Sequence, residues 1–238
     1  MTSPRRIGLL GGTFDPIHCG HLDLGHAAMR VLALERVAVI PSHIPPHRPQ
    51  PVATSYHRFA MAALAVGDNV GWRALDIELR MGNASYTSAT LDKFHERGYA
   101  PAELFFVVGA DAFIQIATWK DYPNVLAKAH YAVVSRPGFP VADLPQELPS
   151  LKSRMSPPPF YALAQPEPSI FLIDARTADV SASAIRERCA AGQPIAGLVP
   201  RGVQQHIEQH GLYTSTTPGR RASDALPRPP AGRLHGED

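Results

Sequence analysis

Two histidines three positions apart, His18 and His21, close a run that opens on paired glycines: Gly11-Gly12-Thr13-Phe14-Asp15-Pro16-Ile17-His18-Cys19-Gly20-His21. Each imidazole carries ring nitrogens that can donate to an oxyanion, and two rings at this spacing can converge on one phosphate. Gly11 and Gly12 let the backbone turn sharply and approach an anion with no Cβ in the way. A helix starting just beyond adds unpaired N–H groups and the positive end of its dipole. The run therefore reads as a site for a nucleotide's phosphates, with chemistry at phosphorus. The competing reading of the same residues is an ordinary glycine-rich turn with histidines capping a helix. Cys19 is offset from both histidines and reads as packing, and Asp15-Pro16 reads as a turn former rather than a metal ligand.

Such a turn needs a strand before it and a helix after it. Residues 7–10 form a short apolar strand, 22–34 follow helical periodicity, and 37–40 read as a second strand, parallel to the first. Ligands of such βαβ units bind beyond the carboxyl ends of the strands. A proline-rich loop spans 41–54, and a helix over 56–66 is expected to bury Phe59, Ala63 and Val66. Further strands are expected at 72–77, 104–108, 131–135 and 170–173, the second of them central because it is apolar throughout. Helices are expected at 87–97 (stopped by Gly98), at 181–191 with Ser181 near the N-cap, and at 200–210 (stopped by Gly211); 111–118 reads as a helix or turn. Residues 141–168 are proline-rich and read as a surface insertion. The fold class is α/β: a Rossmann-like, doubly wound, mainly parallel sheet with helices on both faces. It forms one domain over 1–213, followed by a tail, 214–238, without apolar periodicity and expected to be disordered.

Bulk properties narrow the function classes. A chain of 238 residues suffices for one substantial core. A net charge of +2 argues against a nucleic-acid surface, and Arg220, Arg221, Arg228 and Arg233 in the tail are sparse and lack interleaved aromatics. Two distant cysteines, Cys19 and Cys189, suggest a reducing compartment. No apolar run approaches a membrane span, and the first strand is too short for a secretory signal, so a cytoplasmic location is expected.

Beyond these residue-level readings, Gly11–His21 resembles the first motif of the bacterial nicotinate-nucleotide adenylyltransferase family. That family belongs to the nucleotidyltransferases marked by His-x-Gly-His, here His18-Cys19-Gly20-His21. Further stretches fall in that family's order. They are Pro41-Ser42-His43-Ile44-Pro45-Pro46-His47-Arg48, Gly109-Ala110-Asp111-Ala112-Phe113, Trp119-Lys120, Ser135-Arg136-Pro137-Gly138 and Val180-Ser181-Ala182-Ser183-Ala184-Ile185-Arg186, with Leu198-Val199-Pro200 and His210-Gly211-Leu212-Tyr213 closing the series. A four-residue pattern alone is weak; ordered motifs over about residues 5–213 are specific.

The resemblance implies adenylyl transfer from ATP to nicotinate mononucleotide, giving nicotinate adenine dinucleotide and pyrophosphate, with Mg²⁺ held mainly by ATP phosphates. It makes His18 and His21 the catalytic donors and Gly11, Gly12, Thr13 and Phe14 the phosphate wall. Gly109 and Asp111 would meet the ribose, although Asp111 could equally be a helix N-cap. Arg136, Ser181, Ser183 and Arg186 would hold the triphosphate, against the plainer reading of 181–191 as an amphipathic helix with a capping serine. On the acceptor side, His47 and Arg48 come from the proline-rich loop, Arg48 standing where the family pattern most often has lysine. Trp119 would stack on the pyridine, where an unplaced tryptophan more often packs in a core. The main-chain N–H groups of Tyr86 and Thr87, at a helix start, would take the nicotinate carboxylate. No carboxylate cluster resembles a metal cage, and direct attack by the acceptor needs no nucleophilic side chain. The superfamily motif does not choose the acceptor. Nicotinamide mononucleotide and phosphopantetheine stay as rivals, as does a nucleotide-binding module without catalysis. The oligomeric state is open, a homodimer being compatible with the sequence.

Overall fold

Short apolar segments, two to six residues long, alternate with helices along the chain, and each becomes a parallel strand. The computed structural model describes residues 5–46, 49–160 and 167–215. The strands are β1 (Ile7–Gly12), β2 (Arg36–Pro41), β3 (Trp72–Ala74), β4 (Leu104–Gly109), β5 (His130–Val134), β6 (Met155–Ser156) and β7 (Ile170–Ile173). They form one seven-stranded sheet in the order β3-β2-β1-β4-β5-β7-β6, and every pairing is parallel. The chain builds outward from β1 to β3, then returns to place β4 on the other side of β1. That reversal makes the carboxyl ends of β1 and β4 the topological switch point, where open α/β sheets bind ligands.

Strand periodicity divides the core into two layers. Leu10, Val39, Phe105, Val107, Val134 and Phe171 face one layer, with α1 (Cys19–Val31), α2 (Ser55–Val66), α7 (Ala182–Ala190) and α8 (Arg201–Gln209). Leu9, Ile40, Phe106, Val108, Val133 and Leu172 face the other, with α4 (Thr87–His95) and the short α3 (Ile77–Met81), α5 (Ala110–Phe113) and α6 (Leu144–Glu147). Among the described residues no helix is long and apolar enough to cross a membrane.

Several expectations need correction. The first helix runs over Cys19–Val31 rather than 22–34, because the Cys19 amide is held by the Leu198 carbonyl at 3.0 Å and the first turn begins there. Leu32 and Leu34 are still buried, but beyond the helix end. In α2 the inward face is Arg58, Met61, Ala62, Ala65 and Val66, whereas Ala63 is exposed and Phe59 half-buried. Residues 72–77 stop pairing at Ala74, and Ile77 reaches the core by starting α3 instead. The region from 141 is no surface insertion. Val141, Leu144 and Leu151 are buried, and Met155–Ser156 adds an edge strand to β7. The expectations for His47, Arg48 and the tail beyond Ser215 lie outside the described residues.

Candidate active site

The turn after β1 is built by side chains, not by flexible glycines. Gly11 and Gly12 are the last residues of an extended strand. A Cβ on Gly12 would stand 2.7 Å from the Phe14 ring, and one on Gly11 3.2 Å from Phe106. Both glycines thus leave room for aromatic rings, and the reversal falls at Phe14, whose φ is 51°. This corrects the expectation that the glycines themselves make the turn.

Two buried charged groups fix that turn. Asp15 accepts from the Val52 and Ala53 amides at 2.8 and 3.1 Å and from the Tyr213 hydroxyl at 2.8 Å. Burial beside this carboxylate pushes the Tyr213 hydroxyl pKa far up. Arg58, 1 % exposed, donates to the carbonyls of Thr13 at 2.6 Å, His43 at 3.0 Å and Ala53 at 3.2 Å. Sequence reasoning missed Arg58. The signal was an arginine at a position that places it with Met61, Ala62 and Ala65 on one helical face.

His18 is the N-cap of α1 and His21 lies in its first turn. The rings stack at 3.7 Å between centroids, and the edge of Phe14 meets His21 at 4.9 Å. The His18 main-chain N–H donates to His21 Nδ1 at 3.3 Å. A neutral His21 ring therefore carries its proton on Nε2. The capping reading therefore holds for His21, and it is compatible with the donor role expected of the ring. Burial, reinforced by the Arg136 cation, pushes the His18 pKa down to about 4, which leaves that ring neutral near pH 7. Gly20 makes the arrangement fit: a Cβ there would stand 2.6 Å from Arg136 Nη1, 3.1 Å from the Ala178 carbonyl and 3.2 Å from His18 Nδ1. Arg136 comes from the turn after β5 and donates through Nη2 to the Val180 carbonyl at 3.2 Å. Its Nη1 and His18 Nδ1 are buried without a partner. Cys19 packs away from the pair, its Sγ 3.5 Å from the Gly197 carbonyl.

Around these groups the cleft has two lobes. The first, about 650 Å³, is lined by Gly11, Gly12, Thr13, Phe14, His18, His21, Gly109, Asp111, Arg136, Ser181, Ser183 and Arg186. Every residue expected on the ATP side meets there with both histidines. Ser181 caps α7 through the Ala184 amide at 3.2 Å, and Arg186 is braced on the Asp15 carbonyl at 2.7 Å and Ser183 Oγ at 3.1 Å. The second lobe, about 460 Å³, shares Gly11, Gly12, Thr13 and Asp111 with the first and extends to Thr87 and Trp119. Trp119 stands edge-on to Phe106, 5.8 Å between centroids. Tyr86 lines neither lobe; it is the N-cap residue of α4, and its ring lies under Lys120 Nζ at 4.3 Å. Ser42, just past the end of β2, was missed: it lines the second lobe, and its Oγ is buried without a partner. Its signal was a polar residue closing a strand next to the switch point.

Among the described residues the carboxylates lining the lobes are Asp15, Glu78 and Asp111. Asp15 is taken up as above. Glu78 accepts from Thr90 Oγ1 at 2.6 Å, and burial raises its pKa. Only Asp111 has its carboxylate exposed to the cleft, which is no cage for a divalent cation.

Known proteins share this plan. The model of a family described as cytidylyltransferase-like matches residues 9–188. A relative from Citrobacter koseri, named probable nicotinate-nucleotide adenylyltransferase, is 37 % identical over 206 residues, 86 % of this chain and 97 % of its own length. One of the same name from Desulfitobacterium hafniense is 39 % identical over 211 residues, 88 % of this chain and 96 % of its own. The Plasmodium falciparum nicotinic acid mononucleotide adenylyltransferase, solved with NaAD, superposes with a TM-score of 0.65 at 16 % identity, covering 88 % of this chain and 97 % of that one. At that identity the likeness speaks to fold.

Proposed function

The chain belongs to the cytidylyltransferase-like family, and we propose that it transfers the adenylyl group of ATP to nicotinate mononucleotide, giving nicotinate adenine dinucleotide and pyrophosphate. The observation that carries this reading is the pair of lobes joined at Gly11–Thr13 and Asp111. A mononucleotide phosphate in one lobe and a nucleoside triphosphate in the other can meet at the tip of β1. Such a reaction is catalysed mainly by positioning and electrostatics.

An oxygen of the acceptor's phosphate attacks the α-phosphorus, and the bond from that phosphorus to the bridging oxygen of the β-phosphate breaks. His21 Nε2–H donates to the α-phosphate as charge builds on it. His18, kept neutral, and Arg136 stand beside the same phosphate. The α7 N-terminus with Ser181, Ser183 and Arg186 receives the β- and γ-phosphates and the departing pyrophosphate. Gly109 lets the ribose approach and Asp111 accepts from its hydroxyls. In the acceptor lobe, Trp119 faces the pyridine. The first-turn amides of α4, which have no intrahelical acceptor, suit the nicotinate carboxylate; Thr87 is the lining residue that places them. Mg²⁺ would enter with ATP and, held by its phosphates and by water rather than by side chains, would shield their charge.

The test is pyrophosphate release from ATP with nicotinate mononucleotide, nicotinamide mononucleotide and phosphopantetheine supplied in parallel. The proposal expects the first to be the best acceptor by kcat/KM. Release with phosphopantetheine alone, or with none of the three, would overturn it.

A further inference from the structure

Three histidines gather where α2 meets α8, and none of them lines the cleft. His57 lies in the first turn of α2, while His206 and His210 stand one turn apart at the C-terminal end of α8. One ligating nitrogen from each lies within 4.8 Å of the others. His57 Nδ1 and His206 Nε2 are 3.0 Å apart. The ring centroids form a tight triangle with sides of 5.2, 4.9 and 4.4 Å. We propose that His57, His206 and His210 form a divalent transition-metal site, Zn²⁺ foremost, that clips α8 to α2 and leaves its fourth position to water.

The geometry is near that of a ligated ion. Zn–N bonds of about 2.0–2.1 Å in a tetrahedron put the nitrogens about 3.3–3.4 Å apart. The His57–His206 pair is already slightly inside that separation. The widest pair need close by no more than about 1.5 Å, and His210 is exposed and able to turn. His206 and His210 repeat the His-x₃-His spacing that puts two ligands on one helical face. The negative end of the α8 dipole favours a cation there. Three imidazoles with no carboxylate select zinc, copper, nickel or cobalt over magnesium, so the site is chemically distinct from the one that handles Mg-ATP. Burial and the neighbouring histidines lower the pKa values of His57 and His206, favouring the neutral form that ligates.

The position gives the clip a consequence. His57 precedes Arg58, which holds the Thr13 carbonyl, and His210 is followed by the turn that carries Tyr213 to Asp15. An ion there fastens both supports of the catalytic turn from behind. The inference does not depend on which acceptor the enzyme uses.

The experiment uses tag-free full-length protein, metal-stripped and then titrated with Co²⁺ (followed by its visible d–d bands) and with Zn²⁺ (followed by thermal melting). One ion per chain is expected, and Zn²⁺ at about 100 times its Kd should raise Tm by roughly 5–10 °C. His206→Asn and His210→Asn should each abolish the bands and the shift, while His21→Asn keeps both. His210→Asn alters an exposed side chain, so it tests the site even if His206→Asn fails to fold. Absence of bands and shift in the parent protein, or their persistence in His210→Asn, overturns the proposal.

Discussion

Replacing His21 by asparagine separates the cap bond this residue makes from the donor role proposed for it. Its Nδ1 accepts from the His18 amide, and its Nε2–H is the donor assigned to the α-phosphate. An asparagine Oδ1 falls near the place of Nδ1, so His21→Asn keeps the cap but has nothing at the distance of Nε2. His21→Ala loses both, and His21→Gln restores a donor near Nε2 without the cap. A cap bond of this kind contributes about 1 kcal/mol, which for a chain of this size is a Tm difference of roughly 2–4 °C. Loss of one preorganised donor to a developing oxyanion costs about 2.7–4 kcal/mol of barrier, a factor of roughly 10²–10³ in kcat. The lost ring contacts with His18 and Phe14 affect Asn and Ala alike, so the Tm difference between those variants isolates the cap. Saturating pyrophosphate-release assays beside thermal melts should show His21→Asn melting above His21→Ala while both are slowed 10²–10³-fold, and His21→Gln turning over faster than either. Parent-like kcat in His21→Asn would refute the donor role and leave the histidine a capping residue only.

Three other outcomes follow from the same structure. Burial is the main force pushing the pKa values of His18 and His130 down to about 4. The unfolded chain therefore takes up these protons first, and the contribution of these two histidines should fall as pH drops from about 6.5 towards 4, by up to roughly 3 kcal/mol each, and be flat above; urea midpoints of the parent and of His130→Gln with the same pH dependence over that interval would contradict it. Tyr213→Phe removes one of the three donors to Asp15 and should lower unfolding free energy by about 1.5–3 kcal/mol in urea melts, whereas an unshifted midpoint would show the bond contributes nothing. Trp119→Leu should raise the KM for nicotinate mononucleotide roughly 5- to 150-fold, the span of ring-stacking free energies, with the KM for ATP nearly constant; a rise in the ATP value instead would move Trp119 out of the acceptor lobe.

Much of this was legible because local rules and tertiary demands agree in β1, β4 and β7, where continuous apolar runs can only be strands covered on both faces. That the residues expected on the ATP side line one lobe was legible for a related reason: apart from Arg186, inside α7, they lie near a strand end or a helix start, places that sequence patterns mark. What escaped was set by partners far along the chain. The face of α2 was misread because the small Ala63 resembles core while a charged Arg58 does not, yet Arg58 is buried by three carbonyls from two other segments. Residues 141–156 looked irregular because their prolines break periodicity, although Val141, Leu144 and Leu151 still reach the core. Tyr86 and Thr87 were paired as adjacent amides, but only Thr87 faces the second lobe. The histidine triad was invisible because His57 and His206 are 149 residues apart.

The glycine of His-x-Gly-His is the point where local motif and distant chain meet. Nothing in the first helix requires a glycine at position 20; a helix start accepts alanine readily. The requirement comes from Arg136, which leaves β5 and enters the gap where a Cβ would be. Its charge helps keep His18 neutral, so that the ring adds no fixed positive charge and Arg136 is the cation of this corner of the cleft. Arg136 Nη1 and His18 Nδ1 are then both buried without partners, at a cost of about 1–3 kcal/mol each. Groups left in that condition within a cleft are matched by a ligand that brings the missing oxygens. On the proposed function, a phosphate would complete such a site rather than merely occupy it. Gly20→Ala should therefore weaken ATP binding more than it weakens the fold.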